Sequence, residues 1–407
     1  MSQIGPIFRA LMRNKVGALL IALQVAVTMV IIVNAIHLIN ARGDLMGRSS
    51  GLDEANQFYV TSVGYANDFD APYVIDTDLD GIRQLPSVDD AVQINAIPMS
   101  NGGWSMGLQT KAGEGENSVP TALYMTDEHG LNTLDVELIA GENFKATEIS
   151  YRDRNTRDWP QSVILTEALA KSLFPDLSPT EIVGQTVYIQ SNEPLTIIGI
   201  MDHLQAPWTG WTTVNHSMLV PNKFDSPYSR YLVRAKPGQR EQAIEQVEQF
   251  MKQREVGRMV RETETMTQVR MDSYRGDSAL QAILWTIIVV LCIITALGIV
   301  GLVSFSINRR RRQIGTRRAL GAQKADIMSY FLTENVMITS VGVLLGIAGS
   351  IALNMWLVSS FNLPRLSYIY LPIAMIAMWA IGLFAVWGPA LRAAQISPAI
   401  ATRNVYH

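Results

Sequence analysis

Charge is what this chain lacks first. No Asp, Glu, Lys or Arg occurs in residues 16–41, 278–308, 335–364 or 366–391, and charged residues make up 17% of the 407. Soluble domains carry about 25%. Cysteine is next: Cys292 stands alone, which excludes an intramolecular disulfide framework and any multi-cysteine zinc or iron–sulfur centre. Cys292 and the five histidines show no ligand spacing, so no metal site is expected. No long Pro, Ser or Gln tract is present, which excludes a mostly disordered protein.

What fills the charge-free stretches is apolar. Their cores, 19–39, 282–307, 336–358 and 371–391, each reach the roughly 20 residues that cross a bilayer as a helix. One such run also fits a buried soluble helix; four, flanked by arginines, do not. The expected spans are 16–41, 278–308, 327–358 and 368–391. The fold class is then an integral membrane α-helical protein with four transmembrane helices. A large mixed α/β domain, residues 42–277, is inserted between helices one and two, and a short loop, 359–367, joins helices three and four.

Basic residues set the orientation. Arg9, Arg13 and Lys15 precede span one; Arg309–Arg312, Arg317, Arg318 and Lys324 lie between spans two and three; Arg392 and Arg403 follow span four. The loop 359–367 holds only Arg365. The positive-inside rule places both termini and the arginine-rich loop in the cytoplasm. Span one reads as an uncleaved signal anchor, preceded by an amphipathic lead-in helix at 1–15 and balanced by a cytoplasmic tail at 392–407. Residues 41–280 carry 20 basic and 34 acidic side chains, a net −14, against +11 for the remainder. The overall −3 conceals an acidic outer domain and a basic inner face.

Within the outer segment, 58–63 reads as a strand, 78–85 as a helix stopped by Pro86, and 91–97 as extended. Residues 163–165 are strand-like, with Thr166 positioned to cap a helix over 167–174 ahead of Pro175. Strands at 186–190 and 195–201 flank turn residues 192–194. Ala243, Ile244, Val247, Phe250 and Met251 give 239–253 one apolar helical face, and 256–262 is a further strand. Scarce Gly, Ser and Pro make 263–277 a helical stalk continuing span two rather than a flexible linker.

Three strings, in order, resemble one family. They are Gly298 to Ala322, ending Arg312-Gln-Ile-Gly-Thr-Arg-Arg-Ala-Leu-Gly-Ala322; Pro389-Ala-Leu-Arg-Ala-Ala-Gln-Ile-Ser-Pro-Ala399; and Val163-Ile-Leu-Thr-Glu-Ala-Leu-Ala-Lys-Ser-Leu-Phe-Pro175 with Val183-Gly-Gln-Thr-Val187 and Thr196-Ile-Ile-Gly-Ile200. Together they are similar to MacB-like and FtsX-like ABC transporter permeases, with the MacB-type periplasmic core domain as the outer segment. Two positions depart from the family pattern: Gln313 stands where Glu is usual, and Gly301 where Asn is frequent in MacB proteins.

The resemblance implies a cell inner membrane permease subunit that passes ATP-driven motion to a periplasmic domain by mechanotransmission, for export from the periplasm or outer leaflet. Other family roles are an FtsX-like regulator of a cell-wall hydrolase and a lipoprotein-releasing permease. No Gly-x-x-x-x-Gly-Lys-Ser/Thr occurs in these residues. ATP and Mg are thus expected on a separate cytoplasmic ABC ATPase dimer, with no cofactor and no catalytic residue in this chain. A second permease copy or paralogue, a periplasmic adaptor, an outer-membrane channel and membrane lipids are the other implied partners; nucleic acid is not.

By the same resemblance, Arg309, Arg312, Gln313, Ile314, Gly315, Arg317, Arg318, Ala319, Leu320 and Gly321 form the coupling segment on the ATPase. Cationic residues would steer docking, and an apolar face of Ile314, Ala319, Leu320 and Ile327 would anchor it; resting on anionic lipid is the other reading. Glu334, about 10 Å into span three, is an intramembrane acid that either acts in function or pairs with a loop arginine. Gly342, Gly346 and Ser350 form a small-residue face. Trp208 and Trp211 either contact a partner or cover a local core.

Overall fold

The computed structural model describes residues 15–261, 263–361 and 364–397. The expected lead-in helix falls almost wholly outside the described residues, as does most of the tail. The chain divides into two compact units, Met1–Met46 with Asp277–His407, and Gly47–Gly276.

The first unit is built from four helices long and apolar enough to cross a membrane. Span one is Lys15–Met46, span two Arg275–Arg309, span three Lys324–Phe361 and span four Tyr370–Ala394. All four run past the charge-free stretches at one end or both, because helical hydrogen bonding continues past the apolar core into residues such as Arg42, Asp44, Asp277, Lys324 and Arg392. Span one is the hub: its Ile21, Val25, Met29, Ile32 and Val33 are buried in a core shared with spans two to four. The small-residue face of span three is where span one packs. A Cβ on Gly342 would stand 2.6 Å from the Ala22 carbonyl oxygen, and one on Gly346 would stand 2.9 Å from Met29. Polar pairs fix the register between spans. Thr28 and Thr295 share a 2.8 Å hydroxyl contact, Gln24 Nε2 donates to the Ile294 carbonyl, and Arg42 pairs with Asp277 at 3.0 Å.

The second unit runs β1 (Gln57–Gly64), α1 (Ala71–Arg83), β2 (Val88–Ile94), β3 (Trp104–Gln109), β4 (Val119–Thr126), α2 (Gly130–Leu134), β5 (Leu138–Gly141), β6 (Ser150–Arg152), β7 (Ser162–Thr166) and α3 (Glu167–Leu173). It continues α4 (Pro179–Ile182), β8 (Thr186–Ile189), β9 (Glu193–Met201), β10 (Ser217–Phe224), β11 (Tyr228–Ala235), α5 (Arg240–Gln253), β12 (Arg258–Val260), β13 (Glu264–Thr265) and α6 (Met266–Ser273).

One sheet is antiparallel, in the order β12-β1-β11-β2, with β13 also on β1. Side chains alternate across a strand. Phe58, Val60, Tyr231 and Val233 therefore face α1 and α5, while Tyr59 and Leu232 face the other way. The second sheet runs β4-β3-β8-β9-β7-β10, and β10 pairs back onto β4 in parallel. Six strands thus close a barrel around Leu108, Leu123, Leu165, Val187, Ile197 and Met218. Tyr124, Ile164 and Leu219 point outward into the layer that joins the barrel to the first sheet.

Several boundaries differ from the sequence reading. Helix α1 begins at Ala71, not 78, because Asp70 Oδ1 accepts the Tyr73 amide and outweighs the strand-like composition of its first half. The β8–β9 turn sits at Gln190 and Ser191, both with positive φ, so β9 already includes Pro194. Thr166 holds the position before α3 but does not cap it; its hydroxyl donates to the Asn215 carbonyl at 2.8 Å and accepts the Ser217 amide at 3.1 Å.

The expected continuous stalk is also revised. Residues 264–265 pair with β1, α6 follows, and a new helix starts at Arg275 after Tyr274. Met266, Val269 and Tyr274 are buried in the outer unit, so the segment is part of that unit's core instead of a free rod.

A polar network crosses between the first sheet and the barrel. Arg83 pairs with Asp127 at 2.7 Å, and His129 Nδ1 with Asp90 at 2.9 Å. The Asp90 bond raises the His129 pKa against the opposing pull of burial. Burial alone would raise Asp90, but hydrogen bonds from His129, Asn132 and the Ala91 amide hold it below the usual carboxylate range. A raised histidine contributes stability below its unfolded pKa and loses it as pH rises through the folded value. A depressed aspartate loses its contribution only as pH falls through its own. The melting temperature of the purified chain is therefore expected to fall from about pH 5 to about pH 8. His129→Asn should flatten that slope, and scanning calorimetry at both pH values checks it.

Candidate functional site

Span two ends at Arg309 and the backbone turns at Arg310, the residue preceding a nine-residue loop helix, Arg311–Ala319. The helix closes in a Schellman turn: the Gly321 amide donates to the Arg318 carbonyl and the Ala322 amide to the Arg317 carbonyl, at 3.2 and 3.1 Å. Gly321 has φ +98° with open space where a Cβ would be, so backbone conformation, not crowding, favours glycine there. Asp326 then accepts the Gln323 amide at 2.8 Å and opens span three.

The loop helix presents two unlike faces. Ile314 and Gly315 are buried, with Ile314 in the core that holds Ile307, Ile327 and Phe331. Arg309, Arg311, Arg312, Gln313, Thr316, Arg317 and Ala319 are exposed, Arg318 is half-buried, and Leu320 is 84% exposed. The single apolar face expected for Ile314, Ala319, Leu320 and Ile327 is thus not what forms. Ile314 and Ile327 hold the loop to the spans, whereas Leu320 stands outward among cations.

Two contacts brace the loop on span three. Arg310 Nη1 donates to Glu334 Oε1 and Oε2 at 3.0 and 3.3 Å, and both side chains are largely buried, at 18% and 10% exposure. The Arg317 guanidinium lies 5.1 Å from the Tyr330 ring centre, within cation–π range. Gln313 borders the small hollow formed with Arg310, Arg317 and Tyr330. Glu334 therefore sits against a loop arginine, the second of its two sequence readings.

Sequence reasoning missed a polar cluster beside it. Asn335 Oδ1 and Thr339 Oγ1 are buried without a hydrogen-bond partner, and Gly382 of span four presses on both side chains. A hollow of about 40 Å³ is lined by Ser306, Glu334, Asn335 and apolar residues of spans one to three, large enough for water. The consecutive Glu-Asn pair followed by Thr four residues on was the visible signal. In the outer unit, Trp208 and Trp211 pack on each other with centroids 4.7 Å apart and lean on the inter-sheet core. Among the described residues, no group of three His, Cys, Asp or Glu side chains gathers as for a metal.

Four spans, an inserted α/β domain and a cationic loop helix define a multi-pass membrane permease. The family description "MacB-like periplasmic core domain" matches residues 17–250, and "FtsX-like permease C-terminal" matches 285–398. The chain belongs to the MacB-like ABC transporter permease family.

Similar proteins include a probable export ATP-binding/permease protein of Pseudomonas fluorescens, 29% identical over 51% of this chain and 32% of its own length. The macrolide export ATP-binding/permease protein MacB of Salmonella typhi is 26% identical over 64% and 42%. The chain thus spans about a third to two fifths of these curated relatives. Among solved structures, the periplasmic region of MacB from Actinobacillus actinomycetemcomitans aligns at 11% identity, covering 56% of this chain and 97% of that one, with TM-score 0.33. The extracellular domain of the transporter YknZ aligns at 15%, covering 50% and 100%, with TM-score 0.31.

Arg310→Gln leaves Glu334 buried without its cation, and breaking a buried pair costs about 3 kcal/mol or more. Arg310→Gln is expected to lower the melting temperature more than Glu334→Gln, and the double variant to recover part of the loss. Thermal unfolding of the four proteins as a double-mutant cycle measures it.

Proposed function

We propose that this chain is the permease subunit of an ABC exporter. On this reading the loop helix docks on a separate cytoplasmic ATPase that binds ATP and Mg, and the chain itself hydrolyses nothing. Both termini and the loop helix lie in the cytoplasm and the outer unit in the periplasm, in line with the distribution of basic residues. The substrate is taken from the periplasm or the outer leaflet.

The observation that carries the proposal is the division of labour in the loop. Ile314 is turned into the spans and Arg310 is tied to Glu334, so the loop helix is fastened to the bundle. Arg311, Arg312 and Leu320 remain outward, and Arg317 stays exposed while it stacks on Tyr330. A rigidly held helix with cations around one projecting leucine suits a docking surface, with charge steering the encounter and the leucine filling a partner's pocket. A loop that only set topology would need the charges but not the Schellman closure or the buried Ile314.

Ile283, Ile287, Val290, Ile294 and Leu297 lie exposed on span two at alternating spacings of four and three, a seam suited to a second permease helix. Binding of the ATPase at the loop would move span two, which follows α6 in the chain. A periplasmic adaptor and an outer-membrane channel, implied by the resemblance of the sequence strings to MacB pumps, belong to the same proposal.

Copurification with the ATPase encoded beside this chain tests the docking surface. Arg317→Glu with Arg318→Glu should abolish the complex. Leu320→Ser should weaken it by about tenfold or more, as for a central apolar anchor, without changing the melting temperature. An intact complex and unchanged ATP turnover in both variants would refute the assignment.

A further inference from the structure

The end of spans three and four opposite the loop helix carries a second feature that the coupling reading does not use. A recess of about 380 Å³ opens there, lined by Ile351, Met355 and Val358 of span three, with Ser359, Arg365 and Tyr368 at its rim. Asn354 and Leu366 complete the lining, which therefore joins apolar side chains to polar and cationic ones.

Arg365 is exposed. No Asp or Glu occurs anywhere after Glu334, so neither span three beyond that point nor span four offers it an anion. Among the described residues its side chain has no partner. The backbone around it is nevertheless fixed. Asn354, buried, accepts the Leu366 amide at 3.0 Å; the His37 ring contacts the Pro364 carbonyl at 2.9 Å; and Asn40 donates to the Tyr370 hydroxyl at 3.0 Å. The cation is therefore presented from an anchored loop at a fixed place over the recess. Trp356, near the end of span three, and Tyr368, just before span four, are 57% and 73% exposed, and amphipathic rings of this kind are enriched at membrane surfaces.

We propose that this recess binds one anionic phospholipid, with an acyl chain along Ile351, Met355 and Val358 and the headgroup phosphate on Arg365. Charge complementarity selects the occupant. A cation fixed at the membrane surface attracts anionic lipid, and the apolar row Ile351, Met355 and Val358 that lines the same recess fits a hydrocarbon chain rather than a soluble anion. Tyr368 supplies a hydroxyl donor for a remaining headgroup oxygen, while the Ser359 hydroxyl is committed to the Trp356 carbonyl at 2.9 Å. The site is separate from the loop helix, so its failure would leave the docking proposal standing.

The test uses the full chain reconstituted in vesicles of equal phosphatidylcholine and phosphatidylglycerol, re-extracted in mild detergent, with bound lipid read by native mass spectrometry. The wild type should retain phosphatidylglycerol over phosphatidylcholine by about fivefold, the ratio one interfacial cation supplies. Arg365→Gln should bring the two to parity and Arg365→Lys should keep the preference. Val358→Trp, which fills the recess but leaves the charge, should also abolish it. Equal retention of both lipids by the wild type overturns the proposal, as does an undiminished preference in Arg365→Gln. A preference that survives Val358→Trp overturns it in favour of a surface charge effect. A change of oligomeric state in Val358→Trp overturns it in favour of a second copy as occupant. Should Arg365→Gln not fold, Arg365→Lys against Val358→Trp decides alone.

Discussion

A chain that leaves the membrane for some 230 residues and then re-enters it must bring two distant points of its backbone back together, and this protein does so with arginine in each unit. In the span unit, Arg42 near the end of span one holds Asp277 near the start of span two. In the outer unit, Arg270 of α6 holds Glu54 at 3.0 Å and the Arg48 carbonyl, so the last helix is fastened to the first residues of the domain. Gln205 adds a buried stitch, donating its own amide to Tyr274 while its backbone bonds Ser50. Closure of a loop this long costs entropy that local contacts cannot supply. Arginine suits the task because its planar fork makes several directed bonds and stays charged.

The buried charges elsewhere follow the same logic. Asp78 on α1 is fully buried and is held by Arg254 and by Arg258 of β12. One carboxylate therefore ties the first helix of the domain to the strand that precedes the return to the membrane. Such pairs contribute less to net stability than to specifying which segments meet, since a missing partner leaves a charge stranded in the core. Arg310 and Glu334 obey this rule in the span unit. The acid of span three is thereby tied to the residue that precedes the loop helix.

How much of this was legible beforehand depended on whether the signal was local. The spans were, because an absence of charge over twenty or more residues needs no tertiary context to interpret. Helix α5 was legible from Ala243, Val247 and Met251 at fourfold spacing. The barrel was not: its closing pair, β10 on β4, joins Met218 to Leu123, and no periodicity within either strand reports a partner almost a hundred residues away. The stalk was misread because residues 263–277 hold no proline and only Gly276 as an interruption, while Thr265 caps α6 through the Gln268 amide and Tyr274 is buried. Propensity permitted one helix, and packing chose two.

The loop helix shows how a cationic motif read from the sequence can still yield a wrong face. Grouping Ile314 with Leu320 as one apolar anchor ignored the geometry of the helix. Six residues at 3.6 per turn place them about 240° apart, so both cannot point the same way. Once separated, each acquires a distinct physical role. Ile314 makes the loop part of the bundle, and Leu320 is left on the far side, 84% exposed among the described residues. A projecting leucine ringed by arginines is poorly suited to water and, because of the cations, poorly suited to the hydrocarbon layer. A surface with both an acidic rim and an apolar hollow satisfies it, which is why the misassigned residue becomes the more informative of the two.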